Sequence, residues 1–322
     1  MAEQLSAEER ILFDAPRNGR LAQSYIIHAA SPKSAKSAAY DFARRIMCEE
    51  HTGCKRCSSC LKFDGLNHVD AYIITNDSAT LKKEDVENIP LFLAEKPYEG
   101  GYKIVFIPDA DRMNVTAQNL LLKSVEEPPQ NVVFIFSTSN ISGILRTIRS
   151  RSVEILIRPI PKKAVRDALG LKGEMADVYA AYSGGSIEEA KELIKDDSFN
   201  PGRNEAMAVI EILYTYRNPN VYKLAARLAD DIAARSLYAA TIFMDAIKLS
   251  FGMDRLSLLN ADMYDKIKTL SDRFTAAGMS RMTDILLEAN EKKKAFPGLN
   301  SRLLAEDIII KLLEVRSRCL KL

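Results

Sequence analysis

No apolar run in this 322-residue chain approaches the roughly 20 residues that a membrane-spanning helix needs. The acidic start, MAEQLSAEER, lacks the basic and apolar regions of a secretory signal. With both absent, a cytoplasmic protein is expected. Charge of one sign is lacking too. The net charge of +2 excludes a chain that grips nucleic acid by bulk charge, and leaves any such contact to local patches or partners. Internal repeats and low-complexity tracts are missing, and the absence of tryptophan decides nothing. Five cysteines in an intracellular chain argue against a disulfide framework and for metal-binding or structural thiols.

What is present is enough apolar residue, 47%, for two or three domains with cores of their own. Five β-rich runs punctuate the first half: YIIHAA (25–30), DAYIIT (70–75), YKIVFIPDA (102–110), VVFIFSTS (132–139) and VEILIRP (153–159). Their near-continuous apolarity suits strands buried on both faces of a parallel sheet. Helical periodicity lies between them. Ala35, Ala38, Ala39, Phe42, Ala43, Ile46 and Met47 make one stripe, and a second helix from Asn114 to Glu126 stops before Pro128-Pro129. The alternation implies a doubly wound α/β domain over 1–161, left through RPIPKK (158–163).

After Pro161 the β-like runs disappear. A short helical unit over 162–200, broken at Ser183-Gly184-Gly185-Ser186, ends in the turn-rich DDSFNPG (196–202). An all-α domain fills 201–322. In its closing helix, Asn300 is the expected N-cap, and the apolar positions from Leu303 to Val315, Ile310 among them, cover more than half the circumference. That predicts a helix packed on several sides.

Two stretches carry chemistry. In SPKSAKSAAY (31–40), Lys36-Ser37 follow a strand and a turn, where a G-x-x-x-x-G-K-[ST] loop would cradle phosphate. The two glycine positions hold Ala30 and Ala35. The other stretch spaces Cys48, Cys54, Cys57 and Cys60 as C-x5-C-x2-C-x2-C. Four thiolates can close a tetrahedral shell around Zn²⁺ at about 2.3 Å per bond, which leaves no open position and makes the site structural. His51 is the nearby competitor for a ligand place. A redox pair is disfavoured because the cysteines read as a polar loop after a helix, not a helix start where a thiol pKa falls. Cys319 stands alone.

RLAQSYIIHAA (20–30), the four-cysteine insert, AQNLLLKSVEEPPQNVVFIFSTSN (117–140) and ILRTIRSRS (144–152) together resemble the clamp-loader AAA+ ATPase family of bacterial replication. The resemblance covers about residues 15–195 through specific motifs and is looser beyond. It implies a five-stranded AAA+ domain, a helical lid and a helical collar that joins subunits into a ring. It also implies gamma/tau-type and delta subunits, a sliding clamp and primed DNA as partners.

The same resemblance lets each part of the family's nucleotide site be checked. Alanine at 30 and 35 adds a Cβ where backbone must approach phosphate. After the third strand, where active members carry Asp-Glu, stand Asp109 and Ala110, with Asp111 one residue on and pointing elsewhere. Thr138 fills the polar position ending the fourth strand. Glu188 replaces the lid arginine that meets the γ-phosphate, setting an anion against an anion. The resemblance therefore implies a chain that does not hydrolyse ATP and binds it weakly or not at all. Ser150-Arg151-Ser152 resembles the family's Ser-Arg-Cys motif, whose arginine reaches the neighbouring subunit's ATP. The expected role is a stator that is not catalytic alone. An active gamma/tau-type ATPase is the first alternative. The second is a zinc-dependent nucleic-acid module using Lys55, Arg56 and Lys62, without aromatics for stacking in that loop.

Overall fold

The computed structural model describes residues 7–319 apart from 77, 79 and 100; the first six residues of the acidic start lie outside it. The chain divides into two compact units, Met1–Ile160 and Pro161–Leu322. Among the described residues, no helix is long and apolar enough to cross a membrane.

In the first unit, α1 (Ala7–Asn18) precedes β1 (Ser24–Ala29) and α2 (Pro32–Met47). Next come α3 (Ser58–Asp64), β2 (Ala71–Ile73), α4 (Lys83–Val86) and α5 (Ile89–Ala94). Then β3 (Lys103–Ile107), α6 (Val115–Glu126), β4 (Val132–Thr138), α7 (Arg146–Arg149) and β5 (Val153–Ile157) complete it. All five expected strands form, and they pair in parallel in the order β2-β3-β4-β1-β5. Every residue of β3 and β4 is buried, because helices cover both faces. On one face Ile26, Val105, Phe134 and Phe136 pack with Leu121 and Val125 of α6. On the other, Tyr25, Ile27, Phe106 and Ile135 pack with Phe42 and Ile46 of α2. The period-2 alternation along each strand thus splits one apolar run between two cores.

The second unit is entirely helical among the described residues. It holds α8 (Lys162–Leu169), α9 (Glu174–Tyr182), α10 (Ile187–Lys195) and α11 (Phe199–Thr215). It continues through α12 (Val221–Ala229), α13 (Ile232–Ser250), α14 (Tyr264–Arg273), α15 (Ala276–Ala295) and α16 (Ser301–Cys319). Tyr182 of α9 donates to Asn260 at 2.8 Å, and Arg203 of α11, only 1% exposed, donates to the same amide and to Asp262.

Two sequence expectations change here. The DDSFNPG linker is mostly helix: α11 starts at Phe199, because Pro201 is tolerated in a first turn, and Gly202 admits the Tyr238 ring where a Cβ would sit 2.9 Å from it. The last helix is not packed all round. Asn300 caps it as expected, and Leu304, Ile308, Ile309, Leu312 and Val315 are buried, but Leu303 and Ile310 face solvent.

Candidate functional site

The four cysteines converge. Their sulfur atoms all lie within 4.8 Å of one another, against about 3.8 Å expected around a tetrahedral zinc with 2.3 Å bonds. Cys48 ends α2 as its C-cap and is buried with Cys60, while Cys54 and Cys57 are half-buried. Backbone turns aim N–H groups at sulfur: Cys54 N–H at Cys48 Sγ (3.5 Å), Cys57 N–H at Cys54 Sγ and Cys60 N–H at Cys57 Sγ (3.4 Å each). Burial pushes the Cys48 thiol up, but the N–H groups of Cys54, Glu50 and Thr52 outweigh it and bring it down to about 5. Burial raises Cys60. Donors on sulfur favour thiolate, the form a metal takes, so this chain's own residues suit a closed metal shell. His51 is not among the converging ligands.

One expectation is corrected. Cys57 is the N-cap of α3, and its side chain accepts from Cys60 N–H, so part of the cluster does sit at a helix start. The seven residues after it, SSCLKFD, close a turn too short for periodicity to reveal.

A second set of predicted residues gathers at the C-terminal edge of neighbouring strands, the place where open α/β sheets bind ligands. There the backbone does something a phosphate loop does not. Only Ala30 and Ser31 separate β1 from α2. Ser31 caps the helix, accepting Ser34 N–H at its side chain (3.3 Å) and Ala35 N–H at its carbonyl (3.1 Å), and Pro32 occupies the first helical position. Ala35 is fully buried against the core, and Lys36 is an exposed residue of the second helical turn, with Ser37 half-buried beside it. The N–H groups that would circle a phosphate are here inside a helix.

The strand ends opposite are tied to one another. Asp109 adopts φ +49° and pairs with Arg112 at 3.6 Å. That left-handed residue opens a tight 3-10 turn, Ala110–Arg112, with Ala110 buried. The turn swings Asp111 back, so Thr138 donates to it at 2.6 Å. Asp111 therefore meets the Thr138 position and does not point elsewhere. Asp111 approaches so closely that a Cβ on Gly143 would lie 2.8 Å from its Cβ and 3.2 Å from its Cα. Glu188 belongs to the second unit, as the second residue of α10, 3.4 Å from the Ser186 hydroxyl.

Arg151 follows α7 on the surface of the first unit. Its guanidinium meets Glu126 at 3.0 Å and donates to the Thr147 carbonyl at 2.9 Å, with its side chain 41% exposed. Glu126 ends the LLKSVE run of α6, so two motifs far apart in sequence touch. Ser150 bonds back to Thr147, and Ser152 spans the Ile148 carbonyl (2.8 Å) and Ser24 of β1 (2.7 Å). A residue missed in the sequence organises this corner. Gln118, 2% exposed, donates to the carbonyls of Met113 and Gly143 and accepts from Leu145 N–H, fixing the approach to α7. Its one signal was a polar side chain on the buried face between Ala117 and Leu121.

Against known proteins, the profile described as "DNA polymerase III, delta subunit" matches residues 6–161, and "DNA polymerase III, delta subunit, C terminal" matches 201–314. DNA polymerase III subunit delta' of Bacillus subtilis is 23% identical over 316 residues, 95% of each chain. That of Escherichia coli is 26% identical over 304 residues, covering 91% of this chain and 90% of the relative. A gamma subunit of Buchnera aphidicola is 35% identical over 107 residues, 33% of this chain and 29% of that one. Among solved structures, a gamma subunit-related protein of Thermotoga maritima aligns with a TM-score of 0.55 at 17% identity, over 95% of this chain and 99% of that one.

Proposed function

The chain belongs to the delta' family of DNA polymerase III subunits, and from that membership we propose that it is a non-hydrolysing stator of the replicative clamp loader. Its assembly partners would be gamma/tau and delta subunits, its target the sliding clamp, and its DNA contact primed DNA held by the complex. Such work places it in the cytoplasm. The lid (162–200) and collar (201–322) remain the working division of the helical unit.

The observation that carries the reading is the start of α2 at Pro32, four residues before Lys36. Phosphoryl transfer depends on positioned charge around the β- and γ-phosphates. Here Lys36 rides a solvent-facing helical turn, Ala110 offers no carboxylate, and Thr138 is engaged by Asp111. Asp109 is half-spent on Arg112. The chemistry left to this chain is Arg151, offered in trans. Its bond to Glu126 is an exposed ion pair, worth at most about 1 kcal/mol, so a neighbour's phosphate can compete for it. Zn²⁺ is the metal that Cys48, Cys54, Cys57 and Cys60 suit, with a structural role.

The 107-residue gamma match favours an active ATPase as the second reading. Reconstitution with gamma/tau, delta, clamp and primed DNA separates the two. Arg151→Ala should leave assembly intact and slow ATP turnover at the adjoining site, by about 10³-fold or more on the scale of trans arginine fingers. Lys36→Ala should change nothing. ATP hydrolysis by the isolated chain, abolished by Lys36→Ala, would establish the second reading instead.

A further inference from the structure

Most arginines of the second unit are neutralised: Arg203 by Asp262, Arg227 by Glu205, Arg235 by Asp230, Arg255 by Glu174. One corner departs from that rule. Around the C-terminus of α11, Arg217, Arg273, Arg316 and Arg318 have no carboxylate partner among the described residues. Arg316 donates to the carbonyls of Leu213, Tyr216 and Arg217 at 2.5, 2.7 and 2.7 Å, closing the helix end with a cation and fixing the loop that follows. Arg273 lies 5.0 Å from the centre of the Tyr214 ring. The Thr275 N–H donates to the Cys319 carbonyl, which brings the end of α16, with Arg318, beside the end of α14, with Arg273.

Two large aromatics stand exposed here, Tyr216 at 60% in the loop and Tyr222 at 65% in the first turn of α12, with exposed Arg217 and Lys223 following them. Nearby carboxylates are mostly engaged: Glu211 pairs with Lys266 and Asp272 with Lys268, leaving exposed Glu314 to subtract one charge.

We infer that this corner of the helical unit is a binding site for single-stranded nucleic acid. Guanidiniums held without anions supply phosphate contacts, two oxygens at a time. Tyrosine rings set between them supply stacking faces for unpaired bases. Duplex DNA hides those base faces, and an acidic polypeptide would satisfy the arginines while leaving the rings idle. The inference does not depend on how the chain serves clamp loading.

The test is fluorescence anisotropy of the full chain with labelled oligo(dT) of about 20 nucleotides, between about 50 and 200 mM salt. Arg217, Arg273 and Arg318 as three phosphate contacts predict a log–log salt slope of about −2. Arg217→Glu with Arg318→Glu should flatten it towards about −0.7 and weaken binding at least tenfold at the low-salt end. Tyr216→Ala with Tyr222→Ala should also weaken binding about tenfold or more but leave the slope unchanged. Lys55→Glu with Arg56→Glu, in the cysteine loop, should have no effect. Both variant pairs lie at exposed positions, and unchanged thermal melting confirms that they fold. No binding at low salt, or indifference to both pairs, overturns the site. Equal competition by a duplex or by poly-glutamate overturns its single-strand character and marks a general anion patch.

Discussion

Two constellations in the first unit share an origin and differ in outcome. The four cysteines, thirteen residues from first to last, come together within 4.8 Å. The residues that we read as a degenerate nucleotide site, drawn from three strand ends, also meet at one edge of the sheet, yet each is turned to an internal partner: Ser31 to the α2 backbone, Asp109 to Arg112, Thr138 to Asp111. The difference teaches that keeping residue types does not keep a site. A metal shell is built by short-range turns, whereas a phosphate site needs a particular backbone path, and two residues between β1 and α2 do not trace it.

The largest effect should come from taking the converging site apart. Binding energy of a structural zinc is folding energy, of order 10 kcal/mol in small metal domains. Chelation, or Cys57→Ser, should therefore unfold the 48–64 segment and lower the denaturation midpoint of the first unit. Elemental analysis is expected to give one zinc per chain. A metal-free chain with four freely reactive thiols and unchanged stability would overturn the metal reading and remove the contrast with the strand-end residues.

Next in size is the bond that closes the other site. Asp111→Ala leaves the fully buried Thr138 hydroxyl without its charged acceptor, which should cost about 1.5–3 kcal/mol in urea unfolding. Asp111→Asn, which keeps an acceptor, should cost less. If both cost nothing, the remnant site is open and the contrast with the cysteines weakens.

The sequence was most informative where the signal was local. The strands were legible because continuous Val/Ile/Phe runs have few places other than a covered parallel sheet. The Asn300 cap, and convergence of cysteines two apart, needed no tertiary knowledge either. What escaped needed contacts distant in the chain. Nothing in the sequence says that Asp111 reaches Thr138, that Glu126 meets Arg151, or that Gln118 faces inward to hold the carbonyl of Gly143. Short elements escaped as well: α3 and the first turn of α11 are set by Cys57 and Phe199 finding partners, not by propensity.

Ser31→Ala tests the helix start itself. Removing an N-cap hydroxyl costs about 1 kcal/mol, and here it should loosen the turn that forecloses the phosphate loop. Smaller still is a pH effect in the helical unit. The Arg227 hydrogen bond holds the Glu205 carboxyl below its ordinary range, so that pair's contribution is complete above about pH 4.5 and fades as pH falls through the depressed value. Both side chains are about one-third exposed, which limits it to about 1 kcal/mol or less. Glu205→Gln should remove that portion of the acid sensitivity of unfolding and leave the cysteine segment untouched.

The smallest expected effect is none, and it separates the two constellations most sharply. Ala30→Gly with Ala35→Gly restores the glycines of a phosphate loop, and Lys36-Ser37 are already in place. If residue identity were what the site had lost, ATP binding should return. It should not, because the Ser31 cap and Pro32 commit the backbone to helix before Lys36 is reached, and Ala35 is a buried core residue of that helix. Glycine there costs about 1 kcal/mol of helix stability and supplies no N–H that the helix does not already use. Equilibrium dialysis with radiolabelled ATP and magnesium measures this directly. Binding gained by the double variant would mean that two methyl groups, and not the path of the chain, closed the site.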